Sequence, residues 1–292
     1  MYVGRNLGSR LFDMANYAFL LLLGLLTVVP FLYMVLGSFA APEEYAKQGI
    51  VLIPTQFSLS AYTYIFSTDT IMRSLLNTVI ITIAGTFINI VFTSLMAYPL
   101  SRKELLGRRP VMLLIIFSML FSGGMIPTFL IVKALGLTNT LWSLLLPGAI
   151  SAFNLIILKN FFQQMPEGLE ESAKIDGCND MMILFRIILP LSMPAIATFS
   201  LFYAVGHWNS FFSAILYIND TTKWPIQVLL RQVVIMSEGG IGDSSQVNEA
   251  VALPPQSLKM AVITVSTLPI LIVYPFLQKH FAKGVLLGSV KG

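Results

Sequence analysis

Six long, largely apolar stretches without a lysine, arginine, aspartate or glutamate constrain the fold of this chain more than any other feature. A helix needs about 20 largely apolar residues to cross the hydrocarbon core of a bilayer, and each stretch is long enough to supply them. The sequence therefore predicts an all-α, polytopic membrane protein with six transmembrane helices. The six stretches are residues 14–42, 74–101, 110–132, 134–158, 187–219 and 260–278.

The composition argues against a soluble protein, because 56% of the residues are hydrophobic and only 11% are charged. Soluble domains carry about 25% charged residues. The net charge of +4 does not indicate a nucleic-acid partner, since the basic residues lie between apolar segments, as is typical of anchoring at a membrane face. One cysteine, Cys178, excludes an internal disulfide, and the distant His207 and His280 do not suggest a metal site.

Lysines and arginines predict the orientation of the chain in the membrane. Three basic clusters fall on one side if there are six spans, and the positive-inside rule assigns that side to the cytoplasm. Both termini are then cytoplasmic, and loops 41–73, 133–141 and 219–259 face outward. The clusters are Arg5 with Arg10, Arg102 and Lys103 with Arg108 and Arg109, and Lys279 with Lys283 and Lys291.

The longest outward loop, residues 219–259, contains Trp224-Pro225 followed by the sequence IQVLLRQVVIM. The apolar spacing predicts a short amphipathic helix, and the glycines and serines at 237–245 predict a flexible tip. Such a helix can dock a partner or pack over the external mouth of the protein. The residues leave both alternatives open.

A polar stretch at residues 166–190 lies between the fourth and fifth predicted spans, on the predicted cytoplasmic side. Proline is favoured at a first helical position, and carboxylates are favoured in the first turns. Pro166 is followed by Glu167, Glu170 and Glu171, so a helix is predicted to begin here.

The second half of this stretch predicts a sharp turn and another helix. Gly177 can adopt the left-handed conformation that ends a helix, and either Asn179 or Asp180 can cap the next one. Pro190 is predicted to end it. The result is a small helical hairpin, although any solvated cytoplasmic loop can form an amphipathic helix of this kind.

The same stretch carries the pattern Glu-x-Ala, three residues, Gly, nine residues, Ile-x-Leu-Pro. It resembles the EAA loop of permease subunits of ATP-binding cassette importers. Ser172 departs from the family pattern, which usually has alanine there, but it keeps a small side chain. The matching positions are Glu171, Ala173, Gly177, Ile187, Leu189 and Pro190.

The resemblance implies a type I importer fold, with one permease domain over residues 1–292. In that family the first short helix of the loop is a coupling helix, which is seated in a cleft of an ATPase subunit. By this resemblance Glu171 meets basic groups of the ATPase, Ala173 permits close seating and Gly177 permits the turn. Asp176 and Pro190 complete the expected coupling residues.

The resemblance also implies an assembly. A homologous second permease, forming a heterodimer, two ATPase subunits and an external solute-binding protein are expected in the bacterial cytoplasmic membrane. The sequence has no G-x-x-x-x-G-K-[ST] phosphate loop, so ATP and Mg are expected on the ATPase subunits. This chain is expected to be neither an enzyme nor a cofactor-binding subunit.

Two further stretches resemble carbohydrate permeases of the maltose-permease type. They are HWNSFFSAILY at 207–217 and the ending YPFLQKHFAKGVLLGSVKG. Within that group, the chain is most similar to subunits that handle oligosaccharides, including those of alginate importers. The resemblance therefore implies import of a carbohydrate.

Candidate contacts for a sugar are amide, hydroxyl and aromatic side chains inside the predicted spans. Polar side chains in lipid normally face the protein interior or a cavity. Each candidate could instead bond across a helix interface or serve only in packing. The candidates are Tyr203, His207, Trp208 and Asn209 in the fifth span, with Asn77, Asn89 and Asn154 elsewhere.

Secondary transporters and channels for a small polar solute remain alternative classes. Ion coupling usually places carboxylates or bases within the membrane, yet the six stretches contain no aspartate or glutamate and His207 is their one candidate of this kind. An intramembrane protease needs a serine–histidine pair with a glycine-framed nucleophile, which these stretches lack.

Overall fold

The computed structural model describes residues 7–41, 43–45, 51–166, 168–237 and 256–289. Its regular structure is helical. Outside the helices, Ala40 and Phe57 form an isolated antiparallel bridge. The prediction of an all-α protein is therefore confirmed for the described part of the chain.

The helices are numbered here in chain order. A π-helical turn, Leu184–Ile188, lies between α9 and α10, and a 3₁₀ turn, Thr221–Lys223, precedes α13. The α-helices are α1 Leu7–Gly37, α2 Ser60–Ser67, α3 Asp69–Ser101, α4 Arg108–Leu120, α5 Met125–Ala134, α6 Trp142–Leu145, α7 Ala152–Gln163, α8 Gly168–Ile175, α9 Asp180–Ile183, α10 Leu189–Leu191, α11 Met193–Trp208, α12 Phe212–Tyr217, α13 Ile226–Ser237 and α14 Gln256–Ser289.

Three helices among the described residues are long and apolar enough to cross a membrane: α1, α3 and the Gln256–Val273 part of α14. Two bent pairs qualify when each is taken together. The bend between α4 and α5 is 116°, and the bend between the Asp180–Leu191 segment and α11 is 85°. Counting each pair as one span gives five. Six spans remain a prediction.

Three of the predicted spans are not continuous helices, and residues 187–219 bend between α10 and α11 and break again between α11 and α12. Residues 110–132 are interrupted by a non-helical link that contains Gly123 and Gly124, and Gly124 has φ +88°. Residues 134–158 include the short α6 and a break around Pro147-Gly148. Glycine costs about 1 kcal/mol and proline about 3 kcal/mol in a helix interior relative to alanine, which favours a break at these two places, although prolines also lie inside α1, α3 and α14.

The described part of the chain divides into two compact units. The first includes described residues within Met1–Thr68 and Gln232–Thr267, and the second includes those within Asp69–Arg231 and Leu268–Gly292. In the first unit, Tyr45 and Met260 belong to a small core, where the Tyr45 hydroxyl donates to Met260 Sδ at 2.9 Å. One domain over residues 1–292 remains a prediction.

Helix α3 is the central element of the second unit. Its 33 residues span about 50 Å at 1.5 Å per residue, and it packs most extensively against α11 and α7. Its Ser101 end packs in an apolar cluster that includes Phe162 and Ile188. Closer to its Asp69 end, a second cluster surrounds Ile81. Helix α3 therefore connects two separate parts of the core.

Candidate functional site

The EAA-like stretch folds into the predicted helical hairpin. Helix α8 ends at a glycine turn in which Gly177 has φ +82°. The Gly177 amide donates to the Lys174 carbonyl at 3.1 Å, and the Cys178 amide donates to the Ala173 carbonyl at 2.9 Å. These two bonds form a Schellman motif. Gly177 thus has the left-handed conformation predicted for the end of this helix.

The second half of the hairpin begins with a side-chain cap. Asn179 Oδ1 accepts from the Met182 amide at 2.8 Å, so Asn179 rather than Asp180 is the cap. The helix continues past Pro190 and ends at Leu191, so the predicted end at Pro190 is off by one residue. The wide π turn before Pro190 leaves space for its ring, which clashes with the preceding turn of a regular α-helix.

Helix α8 has an exposed side and a buried side. Glu171 is exposed, and so are the apolar side chains of Leu169 and Ile175. Glu170 and Ala173 are buried, and Ala173 packs in the cluster at the Ser101 end of α3. The small side chain of Ala173 thus permits close packing within its own chain, where the resemblance implied close seating on another protein.

The remaining coupling candidates stay near the surface. Asp176 and Pro190 are both exposed. The Asp176 amide donates to the Ser172 carbonyl at 3.0 Å, so Asp176 closes the last turn of α8. Glu171 and Asp176 therefore give the hairpin an accessible acidic surface.

An ion pair joins the buried side of α8 to α3. The Arg102 guanidinium, just beyond the last residue of α3, contacts the Glu170 carboxylate. The side chains of Arg102 and Glu170 are 29% and 9% exposed, respectively. The Arg102 guanidinium carbon also lies 4.5 Å from the centre of the Tyr98 ring, within the range of a cation–π contact.

Side chains from two other helices bind the last carbonyls of α3. Arg108 Nε donates to the Leu100 carbonyl at 2.9 Å, and Gln163 Nε2 donates to the Ser101 carbonyl at 3.1 Å. The last carbonyls of a helix have no partner within that helix. The Ser101 end of α3 is therefore held by α4, α7 and α8 together.

Two of the sugar-contact candidates meet where α3 crosses α11. His207 Nε2 lies 2.6 Å from Asn89 Oδ1, and Asn89 Nδ2 donates to the Gly148 carbonyl at 2.6 Å. Gly85 leaves room for the imidazole, because a Cβ at this position would be 2.4 Å from His207 Nε2. Asn89 thus ties α3 to both α11 and the break before α7.

Tyr203 makes a similar connection one turn earlier along α11. Its hydroxyl lies 2.9 Å from Thr93 Oγ1 and accepts from the Ser151 amide at 3.3 Å. Asn89, Tyr203 and His207 therefore form one polar seam along α3, α11 and the segment before α7, and this seam uses their hydrogen-bonding atoms within the chain.

The other candidates lie outside this seam. Asn209 is exposed, and its amide donates to the Val205 carbonyl of its own helix at 2.9 Å. Trp208 is buried and lines an apolar cavity of about 190 Å³ between α3, α11 and α14. Asn154 is buried, and its backbone amide is capped by Ser151 Oγ at 3.4 Å.

The Asp69 end of α3 binds the loop before α13. Asn77 Nδ2 donates to the carbonyls of Thr222 at 2.8 Å and Trp224 at 3.3 Å. Thr78 Oγ1 accepts from the Ile226 amide at 2.8 Å, which satisfies the first amide of α13. Asn77, a predicted sugar contact, therefore binds this loop. We call Asn77 and Thr78 together the clamp at the Asp69 end. The predicted helix after Pro225 is confirmed as α13, while residues 238–255 lie outside the described part.

A compact turn supports this clamp. The hydroxyl and amide of Thr222, followed by the ammonium of Lys223, hold the pKa of Asp220 below its usual value of 3.8. Lys223 Nζ also donates to the Asn139 carbonyl at 3.0 Å, and Asn139 Oδ1 accepts from the Asp220 amide at 2.9 Å. These bonds join residues 139 and 220–223 into one rigid turn.

Several of these residues were not predicted from the sequence as site residues. The sequence indicates Arg102 only as part of a basic cluster, and Glu170 only as a carboxylate in a first helical turn. The adjacency of Glu170 to the EAA glutamate, Glu171, was the available signal for its role. The described residues contain no group of three or more histidines, cysteines, aspartates and glutamates that could hold a metal ion.

Comparison with known proteins identifies the family of this chain. Residues 89–287 match the family model described as binding-protein-dependent transport system inner membrane component. The chain is 62% identical over 284 residues to the polygalacturonan/rhamnogalacturonan transport system permease protein YtcP of Bacillus subtilis (strain 168), which covers 97% of this chain and 99% of that protein. It is 56% identical to Protein LplC of the same organism, with 97% and 96% covered.

A solved structure shares the fold. The crystal structure of a bacterial ABC transporter involved in the import of the acidic polysaccharide alginate contains a chain with a TM-score of 0.86 and 31% identity, covering 94% of this chain and 98% of that one. The type I importer permease fold implied by the EAA resemblance is thereby confirmed. The chain is a membrane-embedded ABC permease subunit and belongs to the family of binding-protein-dependent transport system inner membrane components.

Proposed function

We propose that this chain is one of two homologous permease subunits in an ATP-driven importer of oligosaccharides that contain sugar acids. The two subunits together form the translocation path. Two ATPase subunits bind ATP and Mg on the cytoplasmic side, and an external solute-binding protein delivers the sugar. The observation that carries this proposal is the 62% identity to a polygalacturonan/rhamnogalacturonan permease along nearly the whole chain.

The substrate class follows from the chemistry that two similar proteins share. Polygalacturonan is a polymer of a sugar acid, and alginate is described as an acidic polysaccharide in the structurally similar importer. Tyr203, His207 and Asn89 place polar groups along α3 and α11, and Trp208, Asn209, Asn77 and Asn154 extend the set of candidate path residues. In the described conformation the seam residues bond to one another, so contact with a sugar requires the seam to open.

Coupling to the ATPases is proposed to run through the hairpin. The exposed side of α8 offers the carboxylate of Glu171 beside the apolar side chain of Ile175, one turn further along the helix. An apolar side chain with a charge beside it suits a cleft that contains a basic group. The Gly177 turn, with Asp176 before it, and Pro190 after the π turn hold this surface at a fixed angle.

The exposed surface of α1 supports a second permease subunit. The most apolar part of this helix contains no buried residue within the chain. Lipid covers one side of a spanning helix in a multi-helix protein, and a neighbouring subunit can cover the other. We take the second permease to be a different but homologous chain, which gives a heterodimer.

The proposed orientation places both termini and the hairpin at 166–190 in the cytoplasm, and loop 219–259 outside. It rests on the basic residues, which include Arg102 and Arg108 near the hairpin. An ATPase is cytoplasmic because ATP is, so the hairpin and the basic residues support the same side.

Purification of the assembled complex from bacterial membranes through a tag on this chain tests the proposal. We expect a second permease and an ATPase to copurify. We also expect ATP hydrolysis in lipid nanodiscs to rise when the binding protein and galacturonic acid oligomers are added, and to rise less with maltose oligomers. Absence of a copurifying ATPase, or hydrolysis that responds to none of these sugars, contradicts the proposal.

A further inference from the structure

The ion pair between Arg102 and Glu170 lies outside the residues that match the EAA pattern, yet it links the hairpin directly to the residue after α3, beside the apolar packing of Ala173. Two adjacent residues on α8 differ in environment: Glu171 is exposed, and Glu170 is 7% exposed. The helix therefore presents one carboxylate outward, toward the proposed ATPase, and one inward, toward α3. A displacement of α8 therefore moves Glu170 and acts, through the ion pair, on Arg102.

The environment of this pair distinguishes it from a surface ion pair. The Glu170 side chain is 9% exposed, and the guanidinium of Arg102 is additionally held against the Tyr98 ring. In the same hairpin, the pair between Lys174 and Asp180 is 3.6 Å long and more than half of each side chain is exposed. Exposed pairs contribute little, because water screens them and the side chains lose entropy. A shielded pair resists separation.

Arg102 directly follows the end of α3, and other helices hold that end in place. Arg108 and Gln163 bind the carbonyls of Leu100 and Ser101, so a force on Arg102 acts on the whole end of α3 and is not absorbed by fraying of its last turn. Further along, α3 carries the seam to α11 at Asn89. The contacts thus form a continuous connection from α8 to the centre of the proposed path.

We infer that Arg102 and Glu170 are positioning residues that transmit movement of the coupling helix to α3, and that breaking their ion pair uncouples ATP hydrolysis from transport. This inference rests on the proposed function. It assigns to Glu170 a task separate from that of Glu171: Glu171 faces the ATPase, and Glu170 passes the movement on to the membrane helices.

The test uses the complete complex in nanodiscs, with ATP hydrolysis measured with and without the binding protein loaded with galacturonic acid oligomers. We expect Glu170→Gln and Arg102→Gln to copurify the ATPase but to lower the stimulated-to-basal ratio by about tenfold. The charge-swapped double variant Glu170→Arg with Arg102→Glu is expected to recover part of the ratio. Lys174→Gln is the matched control, and its ratio is expected to stay within twofold of that of the unmodified complex.

Different results overturn different statements. If the unmodified complex shows no stimulation, the proposed function fails. If the unmodified complex is stimulated and both single variants retain the full ratio, only the inference fails. If the single variants do not assemble into the complex, the Arg102→Lys variant tests the inference instead. It keeps the charge and loses the planar guanidinium, so an assembled complex with a severalfold lower ratio supports the inference, and an unchanged ratio overturns it.

Discussion

The two ends of α3 are held by different chemistry. At the Ser101 end, a charged pair joins α3 to the hairpin, and the apolar cluster around Phe162 packs beside it. At the Asp69 end, neutral side chains of α3 bind main-chain groups: Asn77 donates to two carbonyls, and Thr78 accepts from the Ile226 amide. One end binds a side chain of the proposed coupling element, and the other binds the backbone of a loop.

The difference indicates which end can reorganise. Bonds from side chains to backbone groups fix a loop in one geometry, because neither the carbonyls nor the amide can turn away without loss of a hydrogen bond. An ion pair between two long side chains tolerates a change of angle while the charges stay in contact, since Coulomb attraction is weakly directional. We therefore expect the Asp69 end to act as a fixed clamp on its loop, and the ion pair between Arg102 and Glu170 to act as a joint between the Ser101 end and α8.

The largest effect is expected at the fixed clamp. Thr78→Val keeps the shape of the side chain but removes the acceptor for the Ile226 amide, both of which are buried. An unsatisfied buried donor costs about 1–3 kcal/mol. We expect thermal unfolding of the purified complex to shift downward by several degrees, while the stimulated-to-basal ratio of ATP hydrolysis stays near that of the unmodified complex.

The matched control for this prediction is Thr63→Val. Thr63 is exposed, and its hydroxyl donates only to the Leu59 carbonyl of the preceding turn, at 3.1 Å. The unfolding temperature of the Thr63→Val complex is expected to change by less than a third of the change caused by Thr78→Val. Equal shifts for the two variants would show that the clamp at the Asp69 end contributes no special stability.

An intermediate effect is expected from Gly177→Ala in the hairpin, compared with Gly136→Ala after α5. Both glycines have positive φ, +82° and +68°, and a Cβ at either position meets no atom within 4 Å. Each substitution therefore costs about 1–2 kcal/mol of backbone strain and no clash. Stability losses should be similar, as measured by chemical unfolding.

The two glycine variants should differ in how well they retain the ATPase, although their stability losses are similar. We expect Gly177→Ala to reduce copurification of the ATPase, because the turn sets the angle of α8. Gly136→Ala is expected to leave it unchanged, since its turn lies on the predicted outward loop at 133–141. Equal retention of the ATPase by both variants is the result that contradicts a role of the Gly177 turn in docking.

The smallest effect is expected from lowering the pH, which acts on the turn that contains Asp220 and supports the clamp. The lowered pKa of Asp220 means that its carboxylate stabilises the turn above pH 3.8, and that this contribution is lost as pH falls through the lowered value. We expect hydrogen exchange at the Thr222 amide, which donates to Asp220 at 3.0 Å, to accelerate below that pH relative to Asp220→Asn. Parallel pH profiles for the two proteins would exclude this contribution.

The hairpin was accessible from sequence because its structure is local. The Gly177 turn and the cap by Asn179 depend on residues within a few positions of each other, so capping preferences were sufficient to predict both. The choice of Asn179 over Asp180 and the extension past Pro190 were not fixed by those preferences. The π turn that accommodates the proline has no comparable sequence signature.

The contacts of α3 were not accessible in the same way. Arg102 and Glu170 are far apart in sequence, and their pairing depends on the packing of α8 against α3. The same limitation applies to Asn89 and His207, which were predicted as path residues but could not be paired with each other. The breaks near Gly124 and Pro147 had visible signals, yet charge-free length alone does not tell a straight span from a bent one.

The space that Gly85 leaves for His207 determines how α3 and α11 can shift past each other. A slide by one helical turn, about 5.4 Å, would bring the imidazole against Ile81 or Asn89, where a side chain replaces the hydrogen atom of glycine. Axial travel between the two helices is therefore blocked in both directions. We therefore expect the seam to open by a change in the crossing angle of the two helices, which separates His207 from Asn89 without sliding one helix along the other.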